Sequence, residues 1–181
     1  MAMSMEMPDS KEWIEDPRVV ELLEDRMDHK DYLIFRALNE DGRLSDTELA
    51  EQVGLSRTAA RRRRKQLQDE GILEVFALLV FKQADYAYAE VQITYDMAAS
   101  AERIDEFLQT LLDDGLVYEV AECMGEHDLM IRVWQSSLGE VNDHVRDHLH
   151  KNDVVESYTV VPITNSYKMF HRDFTGNGAS E

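Results

Sequence analysis

Two helix caps separated by a glycine constrain the fold of this chain more than any other feature of its sequence. The run SDTE at residues 45–48 is a capping box, in which Ser45 and Glu48 satisfy each other's free backbone amides at the start of a helix. Gly54 suits the positive φ that ends a helix, and Ser56 can cap the next helix only two residues later. Two helices joined so tightly must cross at a steep angle.

That crossing is the geometry of a helix-turn-helix, in which the second helix enters the major groove of DNA. Here the second helix belongs to GLSRTAARRRRKQL, residues 54–67, which carries six cations and no acid. The whole chain is acidic, since 19 lysines and arginines face 37 aspartates and glutamates and the formal net charge is −18. A basic cluster in such a chain indicates a nucleic-acid surface; the competing interpretation is a solvated helix face balanced by nearby acids.

The first turn of such a helix usually meets base edges, whereas later cations contact phosphates. Arg57 could bind guanine through O6 and N7, and Arg63 could serve either role. The predicted DNA-binding residues are Ser56, Arg57, Thr58, Ala59, Arg61, Arg62, Arg63 and Lys65. Arg64 lies on the side of Ala60 and Leu67, so either its aliphatic stem follows the edge of the core or the helix is rotated to bring more cations to DNA.

The order of the elements predicts an α+β chain with an N-terminal winged helix-turn-helix and a C-terminal ferredoxin-like unit. The apolar, β-prone segment 72–81 predicts a two-stranded wing and a link, and the following pattern is βαββαβ, with two helices on one face of an antiparallel sheet. A short amphipathic helix is expected after Pro17, and the last eight residues, FTGNGASE, are expected to be disordered. The predicted divisions are an extension at 1–27, the DNA-binding domain at 28–81, the ferredoxin-like domain at 86–165 and a tail at 166–181.

Three stretches carry a resemblance to a known family: LNEDGRLSDTELAEQVGLS, LQDEGILEVFALL and ECMGEHDLMIRV. With the order of the two modules, they resemble the Lrp/AsnC family, the leucine-responsive and feast/famine transcription regulators, over residues 30–165. The chain departs from the family pattern in three places. Arg61 and Arg64 stand where relatives carry apolar residues, the linker near Lys82 lacks the usual proline, and Glu126 replaces a more usual Asp.

The resemblance implies a sequence-specific DNA-binding transcriptional regulator that forms a homodimer or a larger homo-oligomer through its sensing domains. It also implies an effector pocket, for an amino acid or a related small metabolite, near the loop between two sensing-domain strands. The predicted effector-binding residues are Gly125, Glu126, His127 and Asp128. The residues alone show a turn that needs its glycine, beside two acids that could receive the α-amino group of an amino acid.

Composition limits the cellular compartment and the salt environment in which the protein is expected. A single cysteine, Cys123, in a predicted buried strand, excludes an internal disulfide, and neither a secretory signal nor an apolar run of about 20 residues is present. These features predict a cytoplasmic protein. The acid excess predicts a halophile's protein, because at about 1 M salt the Debye length falls to roughly 3 Å and self-repulsion is screened. An ordinary acidic protein is the alternative.

The sequence also allows alternatives to DNA binding. His144 and His148 have the i, i+4 spacing that can hold zinc, with His150 nearby, but no further ligand completes a tetrahedron, so a solvated helix flank is expected and no metal site or cofactor is predicted. A siroheme decarboxylase resembles the same two-module architecture and would use His127 and Arg132 over a tetrapyrrole, but it leaves the arginine run without a purpose. A sensing or adaptor protein that has lost DNA binding is the third class. We expect a regulator and not an enzyme.

Overall fold

The computed structural model of the chain describes residues 12–150 and 152–173, which form two compact units. The first unit comprises the described residues up to Leu78 together with those from Tyr167 onward, and the second unit lies within Leu79–Ser166. Among the described residues, no helix is both long enough and apolar enough to cross a membrane.

Helices make up most of the first unit, and side-chain caps begin four of them. The helices are α1 (Glu12–Glu15), α2 (Pro17–Glu24), α3 (His29–Glu40), α4 (Asp46–Val53) and α5 (Arg57–Asp69). Asp16, Asp28, Ser45 and Ser56 each accept a backbone amide at the start of α2, α3, α4 and α5 respectively. Each such cap contributes roughly 1 kcal/mol, so short polar residues fix where these helices begin.

The core of the first unit lies between α3, α4 and α5. Ile34 from α3, Leu49 from α4 and Ala60 from α5 are completely buried, and Leu73, beyond α5, joins the same cluster. Burying a leucine or isoleucine contributes about 1.5–3 kcal/mol, and the small side chain of Ala60 leaves room for its neighbours to approach α5 closely. The core therefore sets which face of α5 remains outside.

The predicted junction between α4 and α5 is confirmed. Both bonds of the capping box are present, with Ser45 N donating to Glu48 Oε2 at 2.9 Å and Glu48 N to Ser45 Oγ at 3.3 Å. Gly54 ends α4 in the left-handed region at φ 65°, and Ser56 Oγ accepts from Ala59 N at 3.2 Å. The helix-turn-helix follows directly from these local signals.

The predicted two-stranded wing is wrong. Residues 72–80, all of which are described, form no strand, and their first amides, of Ile72 and Leu73, donate to the Leu67 carbonyl at the end of α5. The segment ILEVFALLVF contains no glycine, asparagine, aspartate or proline to make a tight turn, so it cannot fold back on itself as a hairpin. It is β-prone in composition but has no partner strand.

The residues before α3 and the described end of the tail belong to the first unit. The predicted helix after Pro17 is confirmed, but α2 buries none of its side chains. Contact with the core comes instead from α1, where Ile14 is buried and its carbonyl accepts the Tyr32 hydroxyl at 3.0 Å. Trp13 stacks on His171, which lies between the two-residue strands β5 (Lys168–Met169) and β6 (Arg172–Asp173). The predicted disorder of FTGNGASE lies outside the described residues.

The second unit is the predicted βαββαβ fold. Its elements are β1 (Ala87–Tyr95), α6 (Ala101–Leu112), β2 (Val117–Glu122), β3 (Leu129–Gln135), α7 (Leu138–Leu149) and β4 (Val155–Pro162), preceded by a 3-10 turn at Phe81–Ala84. The antiparallel sheet has the order β2-β3-β1-β4, so the two central strands are the first and third. Cys123 was expected in a buried strand, but β2 ends at Glu122 and Cys123 is exposed.

Alternation along the central strands separates the two faces of this sheet. Ala89, Val91 and Ile93 of β1 are completely buried in a cluster with Phe107 of α6 and Val141 of α7. The intervening residues of β1 point to the opposite face, where polar side chains lie. The helices therefore cover one face, and the loop between β2 and β3 emerges at one end of the sheet.

Candidate nucleic-acid interface and ligand loop

The sequence-predicted DNA-binding residues fall mostly on one exposed face of α5. Ala60 and Leu67 are buried on the opposite face, and Ala59 is half-buried at the boundary. The exposed face, as we use the term, consists of Ser56, Arg57, Thr58, Arg61, Arg62 and Lys65. The Ser56 cap fixes the first turn of α5 and presents it outward.

Arg63 is held by two carboxylates of the same unit. Its Nη1 lies 2.6 Å from Asp28 Oδ2 and 2.8 Å from Asp31 Oδ1, and its side chain is only 26% exposed. The hydrogen bonds with Asp31 and then Asp28 raise the pKa of Arg63. Because Asp28 also caps α3, these bonds tie the middle of α5 to the beginning of α3.

Arg64 occupies the edge of the core. Its Nη1 donates to the Leu44 carbonyl at 3.3 Å, and its Nη2 lies 2.6 Å from Asp46 Oδ1. The side chain is 28% exposed, beside the buried Ala60 and Leu67. Of the two predicted explanations, a stem along the core edge is therefore the correct one, and the guanidinium braces the start of α4.

The remaining cations of α5 differ in how firmly the fold holds them. Arg61 Nε is 4.0 Å from Asp46 and its side chain is 72% exposed, while Lys65 pairs with Asp69 at 2.7 Å on the exposed surface. Exposed pairs of this kind contribute less than about 1 kcal/mol and exchange readily for another anion. Within the described residues, Arg57 and Arg62 make no hydrogen bond or ion pair. The exposed face thus carries positive charge that the fold does not neutralise.

The predicted effector residues lie in the loop between β2 and β3, anchored to β1. The Asp128 carboxylate accepts the Tyr95 amide at 2.8 Å, and the Asp128 amide donates to the Ile93 carbonyl at 3.0 Å. His127 Nδ1 lies 3.2 Å from Thr94 Oγ1. Two of the four predicted residues therefore hold the loop against the end of β1.

The other two predicted residues form the outer part of this loop. Gly125 has φ 149°, a conformation that side chains rarely adopt, and it is exposed. Glu126 is exposed and has no hydrogen-bond or ion-pair partner within the described residues. Glu126 consequently offers a free carboxylate at the loop, whereas the carboxylate of Asp128 is already engaged.

Tyr95, at the end of β1, is not among the residues that the sequence predicted for this site. Its hydroxyl is buried and lacks a hydrogen-bond partner among the described residues. Burial raises the pKa of Tyr95 to about 12, and the carboxylates of Glu122 and Asp128 add to the effect. The Tyr95 ring packs edge-on against Phe107 of α6, and its neutral phenol is a hydrogen-bonding group without a partner among the described residues, which the strand pattern alone could not reveal.

Arg132, one of the two residues that the tetrapyrrole alternative requires, is already bonded to two glutamates of the same sheet. Its Nη1 donates to Glu119 Oε2 at 2.9 Å and its Nη2 to Glu90 Oε2 at 3.3 Å, across three adjacent strands. A guanidinium bonded to two glutamates is poorly placed to bind a carboxylate of a tetrapyrrole. The arrangement favours a role in holding the sheet.

Two families of domains match the two units of the chain. Residues 27–68 match the AsnC-type helix-turn-helix domain, and residues 87–172 match the Lrp/AsnC ligand-binding domain. An uncharacterised HTH-type transcriptional regulator of Pyrococcus furiosus is 31% identical over 144 residues, which are 78% of this chain and 94% of the relative. A proline dehydrogenase transcriptional activator of Rhizobium radiobacter is 33% identical over 121 residues, covering 63% of this chain and 74% of the relative.

A solved structure of a transcriptional regulator is also similar to this chain. The complex of a transcriptional regulator from Neisseria meningitidis with L-Met superposes with a TM-score of 0.69 at 26% identity, over 79% of this chain and 93% of that one. These families and relatives are transcriptional regulators and not enzymes, so they give the decarboxylase alternative no support. The chain belongs to the Lrp/AsnC family and is a DNA-binding transcriptional regulator with a ligand-binding domain.

Proposed function

We propose that this regulator recognises a specific operator through the exposed face of α5, with Arg57 and Arg62 as its principal contacts. The observation that supports the proposal is that the cations of α5 differ in whether they form ion pairs with acids of the same unit. Arg63 and Arg64 are bonded to carboxylates of their own unit, whereas Arg57 and Arg62 have no partner within the described residues. Uncompensated charge on an otherwise acidic chain is attracted to a polyanion.

Position along the helix divides the roles. Arg57 and Thr58 stand in the first turn, where recognition helices reach base edges; Arg57 suits guanine and the Thr58 methyl suits thymine. Arg62 stands one turn later and contacts phosphate, which fixes register without carrying sequence information. Arg61 and Lys65 add phosphate contacts once their weak pairs exchange. Ser56 and Ala59 shape the first turn, and Arg63 orients the helix through Asp28 and Asp31.

The effector is an amino acid or a related small metabolite that binds at residues 125–128. Support comes from the L-Met complex of the Neisseria regulator and from the chemistry of this loop. Glu126 supplies a free carboxylate for an ammonium group, the Tyr95 hydroxyl supplies an unused hydrogen-bonding group, and the glycine at 125 leaves space around the backbone. Asp128 and His127 hold the loop and transmit its position to β1.

Pairing of two chains follows from the need to read two half-sites. We propose a homodimer, in the cytoplasm, formed through the sensing units, with effector binding altering the spacing of two α5 helices. We also propose that the acidic surface is an adaptation to high salt. Since log K falls by about 0.9 per phosphate contact per decade of salt, specificity in such a medium rests on base contacts and on avidity more than on phosphates.

Occupancy across the genome of the native host tests the function. The tagged chain is immunoprecipitated beside the double variant Arg57→Ala/Arg62→Ala and beside Arg36→Ala, a control that removes a cation of the same unit outside α5. Discrete peaks that disappear only in the double variant are the expected result. Equal peaks for the wild type and the double variant would place recognition elsewhere, and absence of peaks for the wild type would favour the adaptor hypothesis.

A further inference from the structure

We propose that the sensing unit binds a divalent transition metal through Asp114, His144 and His148. In the sequence, the two histidines have no further ligand close to them, and a solvated helix flank was therefore expected. The structure supplies one, since the turn between α6 and β2 brings Asp114 to both rings. The Nε2 atom of His144 lies 2.7 Å from Asp114 Oδ2, and that of His148 lies 3.7 Å from the same oxygen.

The three ligand atoms lie close enough together for small adjustments to form a tetrahedral site with one open position. One ligand atom from each residue lies within 4.8 Å of the other two. With zinc bonds of about 2.0–2.2 Å, the ligands of a tetrahedral ion stand roughly 3.4 Å apart. Small rotations of the rings about their side-chain bonds would bring the observed separations to that value.

Two of the three ligands, His148 and Asp114, are already oriented by a bond to the backbone. His148 Nδ1 lies 2.9 Å from the His144 carbonyl, and because a carbonyl only accepts, the ring carries its proton on Nδ1 and leaves the Nε2 lone pair free. Asp114 accepts the Leu116 amide through Oδ1 at 2.9 Å, which turns Oδ2 toward the histidines. Partners of this kind fix ligand orientation in metal sites.

Burial and access also suit a bound ion. The side chains of Asp114 and His144 are 13% and 14% exposed, whereas that of His148 is 38% exposed and leaves a path from solvent. Two imidazoles and one carboxylate favour zinc and its neighbours over magnesium or calcium, which prefer oxygen ligands. The ion would tie α7 to the turn that begins β2, at the opposite end of that strand from the loop at residues 125–128.

Cobalt and zinc titrations of the untagged, EDTA-treated full chain test the site without reference to DNA. The wild type is expected to bind one equivalent of Co²⁺ with visible absorption bands of a low-coordinate ion, and Zn²⁺ should displace it. His148→Gln removes the most exposed ligand, and Asp114→Asn keeps the acceptor for the Leu116 amide; each should lower the affinity at least tenfold. His150→Gln, a neighbouring histidine outside the cluster, should bind as the wild type does.

Three outcomes would overturn the proposal. They are absence of stoichiometric binding by the wild type, unchanged affinity in both ligand variants, and an equal loss in His150→Gln. Any of them would show that His144 and Asp114 form an ordinary imidazole–carboxylate pair. Because binding is measured on the chain alone, failure here leaves the proposed operator recognition untouched.

Discussion

Helix α5 and the loop between β2 and β3 use their charged side chains in different ways. In α5, Arg63 and Arg64 are bonded to acids of the same unit, whereas Arg57 and Arg62 have no partner within the described residues. In the loop, Asp128 anchors the backbone through the Tyr95 amide, whereas Glu126, two residues away, is exposed and has no hydrogen-bond or ion-pair partner within the described residues. The helix therefore places structural and proposed binding residues on different faces, whereas the loop places them two residues apart, and substitutions should affect the two regions differently.

The largest effect should come from removing the support of α5. Leu49→Ala deletes a completely buried side chain of α4 and should cost about 2–5 kcal/mol in the free energy of unfolding of the first unit. Hydrogen exchange resolved by segment should then accelerate in α3, α4 and α5 and remain unchanged in β1 to β4. Leu22→Ala, at a side chain 72% exposed in the same unit, is the matched control. Equal acceleration in both units would show that they do not fold independently.

Base recognition should be the next largest effect. Arg57→Ala should cost about 1–3 kcal/mol in operator binding and relax the preference at one base position. Arg57→Lys retains the charge but loses the bidentate geometry, so it should recover affinity more than selectivity. Binding to operators changed one base at a time measures both. A loss spread evenly over all sequences would place Arg57 on phosphate instead.

The loop should show a smaller and more instructive pair of effects. Glu126→Gln removes a free, exposed carboxylate and should weaken amino-acid binding by up to about 1 kcal/mol while leaving thermal stability unchanged. Asp128→Asn should lower stability and, by loosening the loop, weaken binding as well, because its carboxylate accepts the Tyr95 amide. Calorimetric titration with L-methionine and a panel of other amino acids, beside thermal unfolding, distinguishes the two. Identical behaviour of the variants would contradict the division of roles.

The smallest predicted effect is the change in unfolding free energy at low pH. Burial alone would raise the pKa of Asp28, but the Asp31 amide and Arg63 more than offset it, so the pKa lies below its ordinary value of 3.8. Stability from this contact is therefore complete above about pH 4 and is lost as the pH falls through the lower, folded value. Between pH 7 and pH 3, wild type should lose slightly more unfolding free energy than Arg63→Ala, with Arg62→Ala behaving like wild type. Equal losses in all three would mean that Arg63 does not stabilise the ionised Asp28.

The sequence predicted those structural features that are determined by residues close together in the chain. The caps at Ser45 and Ser56 and the left-handed Gly54 gave the helix-turn-helix, and alternation gave the βαββαβ order of the second unit. The predicted wing is wrong for a local reason as well, because segment 72–81 is β-prone but contains no residue that favours a tight turn. Composition describes a preference, whereas a strand also needs a partner.

Contacts between residues distant in sequence were not predictable from it. Arg63 and Asp28 are separated by 35 positions, Tyr95 and Asp128 by 33, and His144 and Asp114 by 30. Each pair changes the interpretation of a residue that the sequence had singled out or dismissed. The charge count correctly marked α5 as unusual, but only the packing of α3 and α4 against it shows which of its cations the fold holds.

The salt dependence of operator binding tests the central claim most directly. Titrations of the wild type, Arg62→Ala and Arg63→Ala over a range of KCl concentrations give the slope of log K against log[KCl]. Losing one phosphate contact should reduce the slope by about 0.9 per recognition helix. The account predicts this reduction for Arg62→Ala and an unchanged slope for Arg63→Ala, whose loss should appear in stability. A reduced slope for Arg63→Ala with none for Arg62→Ala would contradict it.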